Sequence, residues 1–366
     1  MSSFSDFQLL PTLLESLAEK KLKVPTEIQS RAIPLMLQNK SVVGISQTGS
    51  GKTLAFSLPI LHMIKSLELA GDDIQENAKP RAAIIVPSRD LGEQVSKVLK
   101  LFTHNTRLRV RTLLGGTTLE VAKKNISGTF EILIATPGRL VQLWERDLIN
   151  LDDVRVLVFD EADQMLDPGF LSEAKKIASA CSEDKQMALF SATISLGMQK
   201  LMTELFSGAE ILKTEGSHKV VSTLKTVNQT VVDGKRMPVL EKILAQPVTG
   251  GTLIFTNTRE QCDKLAEELH QKGYKCLIYR GEMDKVERRS NLKAFRDGKA
   301  DLLVSTDLAA RGLDVDHVGR VINYHLPKEM ENYLHRAGRT ARAGRKGTVI
   351  NLVTERDSSL IQRLKT

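Results

Sequence analysis

Short apolar runs rich in β-branched residues recur along the chain, and each is followed by a segment with helical periodicity. Runs that are apolar on both faces are typical of strands in a parallel sheet covered by helices on either side. The pattern therefore predicts an α/β fold with parallel sheets. The predicted strands are Val42–Ile45, Ala82–Val86, Glu131–Ala135, Val154–Phe159 and Met187–Phe190, then Thr252–Phe255, Cys276–Tyr279, Asp301–Val304, Val321–Tyr324 and Thr348–Val353.

The strand–helix alternation is interrupted once, in the polar stretch 213–226. A single core rarely grows beyond roughly 250–300 residues, so 366 residues favour two domains. We therefore predict an N-terminal domain over residues 1–212, a linker over 213–226 and a C-terminal domain over 227–366. Within the second domain, Arg259–Gln271 is predicted to be a helix, because Cys262, Leu265, Ala266 and Leu269 fall on one face.

The net charge of +8 is unevenly distributed. Residues 1–216 carry 25 Lys and Arg against 26 Asp and Glu, a net charge of −1, whereas residues 217–366 carry 27 against 18, a net charge of +9. Lysines and arginines that neutralise phosphates release counterions from a nucleic acid. We expect electrostatic capture of a phosphate chain mostly in the second half. Aromatic residues make up only 4% of the chain, which argues against a row of exposed stacking platforms.

The three cysteines, Cys181, Cys262 and Cys276, form no CxxC pair and no metal-ligand cluster. They are interpreted as buried small hydrophobes in a protein of a reducing compartment, the cytoplasm. The N-terminus lacks the basic and apolar regions of a signal peptide, and no apolar run approaches the roughly 20 residues that span a bilayer.

A predicted strand, a loop rich in small residues and a predicted helix follow one another around Ser46-Gln47-Thr48-Gly49-Ser50-Gly51-Lys52-Thr53. Such a loop can wrap backbone N–H groups around phosphates at a helix N-terminus. Lys52 would neutralise the β- and γ-phosphates, and the Thr53 hydroxyl would ligate Mg²⁺. Ser46 departs from the strict pattern, which has glycine there.

Two further groups of charged residues complete a nucleotide-hydrolysis pattern. Asp160 and Glu161 end the predicted strand Val154–Phe159, where Asp160 can hold Mg²⁺ through water and Glu161 can deprotonate the attacking water. A dense cluster, Arg336, Arg339, Arg342 and Arg345, supplies candidate arginine fingers. From the residues alone, the chain is predicted to be a two-domain NTPase stimulated by nucleic acid.

The set Asp160-Glu161-Ala162-Asp163, the loop at 46–53, Ser191-Ala192-Thr193 and His335–Arg342 resembles the motifs of the DEAD-box RNA helicases of superfamily 2. The resemblance runs from Phe4 to about Val353. It implies two tandem RecA-like domains and an RNA-stimulated ATPase that binds ATP and Mg²⁺, closes on RNA and melts short duplexes.

The resemblance also implies a role for individual residues. Gln29 would recognise adenine with Phe4 as the upstream aromatic, Asp314 would bind the ribose, and Arg339 and Arg342 would be the arginine fingers. Coupling of the ATP site to strand separation would involve Asp163, Ser191, Thr193 and His335. Contacts to RNA phosphates and 2′-hydroxyls would come from Pro87, Arg89, Gly115, Gly116, Thr136, Arg139, Thr258, Arg280, Gly281 and Thr306.

Several positions differ from the family's common residues. Leu22 stands where an aromatic is frequent, Arg280 where histidine is, and His325 where aspartate is. Two alternatives keep most of the motifs: an RNA clamp or chaperone that separates strands little, and a DNA translocase of the same superfamily. The expected partners are sequence-tolerant RNA, ribosome precursors or messenger ribonucleoproteins; the protein is expected to be a monomer and not to associate with membranes.

Overall fold

The computed structural model of the chain describes residues 3–47, 49–165, 169–194, 196–214, 224–307, 315, 317–341, 347–357 and 361. The chain divides into two compact units, Met1–His218 and Lys219–Thr366. This division falls inside the stretch that we predict to be the linker. Both ends of that stretch belong to strands: one strand ends at Lys213, and the next begins at Leu224.

The first unit is built on a seven-stranded sheet in which every pairing is parallel, in the order β3-β4-β2-β5-β6-β1-β7. Because the strands are parallel, their carboxyl ends lie along one edge of the sheet. The strands are Val42–Ile45 (β1), Ala82–Ile85 (β2), Val110–Leu113 (β3), Ile132–Ala135 (β4), Val156–Asp160 (β5), Gln186–Ser191 (β6) and Glu210–Lys213 (β7).

Helices cover both faces of this sheet. Alternate strand residues point to opposite faces, so Val42 and Ile84 pack with α1–α4 in one core, whereas Val43 and Ile85 pack with α5–α8 in another. The helices are Pro11–Glu19 (α1), Glu27–Leu37 (α2), Lys52–Leu69 (α3), Arg89–Thr106 (α4), Leu119–Asn125 (α5), Pro137–Trp144 (α6), Phe170–Ala180 (α7) and Leu196–Leu205 (α8). Short 3-10 helices lie at Phe4–Phe7 and Ala162–Met165.

The second unit repeats this construction with six parallel strands in the order β10-β11-β9-β12-β13-β8. The strands are Leu224–Thr230 (β8), Gly251–Thr256 (β9), Cys276–Tyr279 (β10), Leu302–Thr306 (β11), Val318–Asn323 (β12) and Gly347–Val353 (β13). The helices are Arg236–Leu244 (α9), Arg259–Gln271 (α10), Lys285–Arg296 (α11) and Met330–Ala337 (α12), with a 3-10 turn at Glu355–Asp357.

Two separate cores flank the second sheet. One contains Ile254 and Ile322 with α9 and α10, and the other contains Leu253 and Val321 with α11 and α12. The prediction for α10 is confirmed in its bounds and its buried face, and a capping box of Thr258 and Gln261 begins the helix. The fold class is confirmed: two parallel sheets, each covered by helices on both faces.

All three cysteines are buried and unpaired in disulfides, as predicted. Burial raises the pKa of Cys181 and Cys262 to about 12 and that of Cys276 to about 11, so the thiols stay protonated near neutral pH. Among the described helices, none combines the length and the apolarity that a bilayer crossing requires.

Candidate active site and nucleic-acid interface

The phosphate loop connects the carboxyl end of β1 to the first turn of α3. Lys52, only 7% exposed, donates from Nζ to the carbonyl oxygens of Ser46 at 2.6 Å and Gln47 at 2.9 Å. The loop thus curls around its own ammonium group, and nucleotide phosphates can take over these two hydrogen bonds as stronger anionic acceptors. The predicted loop residue Thr48 lies outside the described residues.

Gln29 joins the loop to the helix that precedes it. Its side-chain oxygen accepts from the Thr26 backbone N–H at 2.9 Å, in a capping box at the start of α2. Its amide nitrogen donates to the Gly51 carbonyl at 3.0 Å. Gly51 has φ +90°, and a Cβ there would collide with the Gln29 amide. An amide nitrogen carries two hydrogens, so one remains for a ligand.

The residues expected around adenine differ in exposure. Leu22 is 38% exposed, directly before the segment that leads into α2. Phe4 is only 4% exposed and packs edge-on against Phe7, with ring centroids 6.0 Å apart. Phe4 therefore presents little ring surface to a nucleotide, and its assignment to the ATP site stays a prediction.

Ser46, the departure from glycine, is fully accommodated. Its hydroxyl accepts from Thr214 Oγ1 at 3.1 Å, and its backbone N–H donates to the Ser191 carbonyl at 3.0 Å. The hydroxyl thus has a buried partner, and its burial carries no unmet hydrogen-bonding cost. The start of the loop is fixed to the end of β6 and to the residue after β7.

The acidic pair lies at the carboxyl end of β5, two strands from the phosphate loop. Asp160 is 2% exposed, and its Oδ1 accepts from the Glu161 backbone N–H at 3.0 Å. Burial, with the neighbouring charge of Glu161, raises the pKa of Asp160 to about 7, while Lys52 opposes the shift. Glu161 has φ 51°, an unfavourable conformation for a non-glycine residue that is common at active sites.

Hydrogen bonds join the segment that follows β5 to the segment that follows β6. Asp163 Oδ2 accepts from the backbone N–H groups of Ala192 at 3.1 Å and Thr193 at 3.0 Å, and from the Thr193 hydroxyl at 3.1 Å. Ser191 Oγ donates to the Thr193 carbonyl at 2.8 Å. Hydrogen bonds therefore link the residues after β5 to those after β6, and the coupling role of these residues stays a prediction.

The RNA-contact candidates of the first unit follow β2, β3 and β4, on the other half of the same edge. Pro87 and Arg89 follow β2, and Arg89 pairs with Glu93 at 2.8 Å. Thr136 Oγ1 accepts from the Gly115 backbone N–H at 3.0 Å, which ties the ends of β3 and β4 together. Arg139 donates to the Thr117 carbonyl and, at 2.6 Å, to Gln142. Gly116, with φ 80°, completes the turn after β3.

In the second unit, Arg336 is a buried cation with several hydrogen-bond partners. It is 1% exposed, pairs with both oxygens of Asp307, and donates to the side chains of Asn257 at 2.8 Å and Asn323 at 3.0 Å. It therefore holds together the ends of β9, β11 and β12. The sequence places Arg336 in the arginine cluster but gives no signal that it is buried, because its partners are distant in sequence.

The other described candidates of the second unit have contacts of their own. Thr258 caps α10, and Thr306 is buried at the end of β11. Arg280 pairs with Asp263 at 2.6 Å and donates to the Gly281 carbonyl at 3.0 Å. Arg339 is 4% exposed, with Nε donating to the carbonyl of His335, which is also buried. The predictions for Asp314, Arg342 and Arg345 fall outside the described residues.

A phosphate loop with an acidic pair on the same sheet edge, in the first of two parallel α/β units, defines a nucleoside triphosphate hydrolase. Comparison with known families makes this more specific. Residues 26–201 match the DEAD/DEAH box helicase family, and residues 235–344 match the helicase conserved C-terminal domain.

Similar proteins cover nearly the whole chain. The DEAD-box ATP-dependent RNA helicase RhpA of Helicobacter pylori is 35% identical over 364 residues, 99% of this chain and 72% of RhpA. CshA of Bacillus subtilis, also a DEAD-box ATP-dependent RNA helicase, is 32% identical over 363 residues, with 99% and 72% covered. The structure of S. cerevisiae Dbp5 bound to RNA and ADP BeF3 is 29% identical with a TM-score of 0.86, over 99% of this chain and 92% of that one.

The chain therefore belongs to the DEAD-box family of ATP-dependent RNA helicases. It is an ATPase that acts on RNA.

Proposed function

We propose that the carboxyl edge of the first sheet holds ATP at β5, β6 and β1 and RNA at β2, β3 and β4. The observation that carries this proposal is the shared edge, where the phosphate loop and Asp160–Glu161 lie beside the residues after β2–β4. The hydrogen bonds of Asp163 with Thr193 support the assignment of these residues to coupling.

Mg²⁺ fits the residues at this edge. Asp160 is a buried carboxyl, and burial together with the neighbouring carboxylate of Glu161 raises its pKa, against the opposing charge of Lys52. Carboxylate and hydroxyl oxygens are the donors that Mg²⁺ takes in nucleotide sites. Thr53 and Asp160 would hold the ion, the latter through water. A bound ion would supply positive charge that offsets the charge of the phosphates.

The chain's own residues then divide the hydrolysis step among them. Gln29 selects adenine, and Ser46–Thr53 bind the phosphates through backbone N–H groups and Lys52. Glu161 orients the attacking water and accepts its proton. Arg339 and Arg342 come from the second unit and neutralise the charge that develops on the transferred phosphoryl group, with Asp314 on the ribose. Because these groups belong to different units, hydrolysis depends on closure of the two units around ATP and RNA.

In this proposal the protein contacts the sugar–phosphate backbone of the RNA and not its bases. Most of the candidate residues are threonines, arginines and glycines in loops, whose hydroxyl, guanidinium and backbone N–H groups can bind phosphate oxygens and 2′-hydroxyls. Such contacts do not distinguish one base from another. This supports sequence-tolerant binding, with ribosome precursors or messenger ribonucleoproteins as the class of target. We place the protein in the cytoplasm as a monomer, with domains 1–212 and 227–366 joined by residues 213–226.

Two paired assays test the proposal. ATP hydrolysis by the full chain should be stimulated by single-stranded RNA and not by DNA of the same sequence. A short RNA duplex should then be separated in the presence of ATP. Stimulation by DNA would indicate a translocase. RNA retained with a non-hydrolysable ATP analogue, without duplex separation, would indicate a clamp.

A further inference from the structure

A pocket of about 440 Å³ opens on the second unit between α9, α10 and the carboxyl end of β12. Its volume lies within the roughly 300–1,000 Å³ typical of small-ligand sites. The first turn of α9 contributes Lys235 and Arg236, one face of α10 contributes Gln261 and Lys264, and Tyr324 and His325 follow β12. None of these residues is assigned to ATP or RNA above.

The lining of this pocket is cationic. Among the ion pairs of the described residues, none involves Lys235, Arg236 or Lys264, and one acid, Glu268, also lines the pocket. Three cations against one carboxylate create a local positive potential. The pocket lies in the half of the chain that carries the net charge of +9.

Two polar atoms at the pocket are buried and lack a hydrogen-bond partner among the described residues: Arg236 Nε and His325 Nδ1. A buried donor without a partner costs about 1–3 kcal/mol, and such atoms in native structures call for a bound water, ion or ligand. Both atoms are on residues that line the same pocket, so one ligand can satisfy them together.

The backbone adds to this positive potential. Arg236 begins α9, and Lys235, at the N-cap, makes no side-chain capping bond. The first N–H groups of a helix and its dipole favour an anion at this end. The helix end strengthens a site that the side chains already define.

His325 stands where the family commonly has aspartate, so this chain has lost a negative charge here. Burial, with Arg236 and Arg336 nearby, lowers the pKa of His325 to about 4, and the imidazole is therefore neutral near pH 7. A neutral imidazole can donate one hydrogen bond to an anion without charge repulsion from its cationic neighbours. Aspartate at this position would repel the same anion.

We propose that this pocket binds a phosphate group through Arg236, Lys264 and His325, and that the phosphate belongs to the bound RNA. Lys264 lies six residues after Thr258 on α10, about 9 Å along the helix axis. An RNA strand that contacts Thr258 can therefore reach the pocket with a neighbouring phosphate. The inference rests on the proposed RNA-binding function and adds a contact specific to this chain.

The test compares RNA affinity over a range of salt for the full chain and three single variants. Lys264→Ala and Arg236→Ala remove pocket cations, and Lys299→Ala removes an exposed cation elsewhere in the second unit as a matched control. Each phosphate contact contributes about −0.7 to the log–log salt slope on single strands. We expect the pocket variants to lose roughly 0.7 from the magnitude of this slope and to bind RNA roughly two- to fivefold more weakly, with Lys299→Ala unchanged.

A second arm identifies the source of the phosphate. Pyrophosphate binding is measured by calorimetry for the parent, the two pocket variants and Lys299→Ala, with ADP present to fill the phosphate loop. An unchanged RNA slope with pyrophosphate binding weakened only in the pocket variants assigns the site to a free phosphorylated ligand. If neither RNA slope nor pyrophosphate binding changes in the pocket variants, the anion site is refuted. A parent without RNA-stimulated ATPase would refute the proposed function but leave the calorimetric test intact.

Discussion

At the residue scale, the chemistry of the first unit depends on a few side chains held by short, specific contacts. Glu161 combines a left-handed backbone with a side-chain hydrogen bond from Gln164, so its carboxylate is positioned by the turn after β5. Ser46 replaces glycine without disruption because Thr214 hydrogen-bonds its hydroxyl. Sequence patterns identified both residues, but the partner Thr214, 168 positions away, could be found only in the fold.

Glu161→Gln should retain ATP and RNA binding and lose almost all turnover. The amide keeps the size and the contact with Gln164 but cannot accept the proton of the attacking water. Steady-state ATP hydrolysis with saturating RNA measures the effect, and Glu183→Gln, an exposed acid of the same unit, is the control. Turnover within about tenfold of the parent would show that Glu161 is not the base.

Leu22→Phe should tighten ATP binding with little change in kcat. Leu22 is 38% exposed near α2, and a ring adds a stacking contribution of about 0.5–1.5 kcal/mol, which corresponds to roughly 2- to 13-fold in affinity. Leu69→Phe makes the same change at an exposed position at the far end of α3. Titrations with ATP and GTP measure the nucleotide affinity of the parent and the variants. Equal ATP affinity in the parent and Leu22→Phe would show that Leu22 lies outside the adenine site.

At the element scale, the sequence predicts interior strands well and polar edge strands poorly. Each of the ten predicted runs overlaps an observed strand: most are buried along their length, and β10, a half-buried edge strand, is apolar. The three strands that were not predicted, β3, β7 and β8, lie at sheet edges; β7 and β8 expose most of their residues, and β3 buries only Leu113. An exposed edge strand needs no apolar run, so its sequence resembles a loop.

A buried polar network in the second unit was also beyond sequence-based prediction. Arg336 donates to Asn323, whose amide donates to Asn351 at 2.8 Å, and Asn351 in turn donates to Asn228 at 2.8 Å. The three asparagines are in register on β12, β13 and β8. Isolated asparagines in three strands give no sequence signal, because only strand pairing brings them together.

Arg336→Gln should destabilise the second unit by about 3–5 kcal/mol, the cost of removing one member of a buried charge pair. Asp307 loses its two hydrogen bonds from Arg336, and Asn323, the first asparagine of the network, loses the hydrogen bond that Arg336 donates. Urea unfolding followed by circular dichroism should show an earlier transition, whereas fluorescence of the single tryptophan, Trp144 in α6, reports on the first unit and should change little. A dichroism transition that matches the parent's would contradict this role, and Lys299→Gln serves as the surface control.

At the scale of the whole molecule, two units of the same architecture carry different motifs, and we propose that they carry different parts of the chemistry. The first has the phosphate loop and the acidic pair, and the second has the arginine cluster and the excess of positive charge. This difference between the two units can be predicted from composition and motif order alone, because charge counts and motif spacing are read directly from the sequence. Only the structure shows that Leu22 is exposed and that Phe4 and Arg336 are buried, because burial depends on contacts between residues distant in sequence.

The central claim is that one ATPase site uses residues of both units, and RNA-stimulated hydrolysis by Arg339→Ala tests it most directly. ATP affinity without RNA should stay at the parent value, because the phosphate loop is intact. With RNA, kcat should fall by roughly 10³-fold or more, the scale of losing an arginine finger. Arg339→Lys, which keeps the charge without the planar fork, should also be impaired, and Arg356→Ala, an exposed arginine of the same unit, should not. A correctly folded Arg339→Ala with the kcat of the parent would contradict the account.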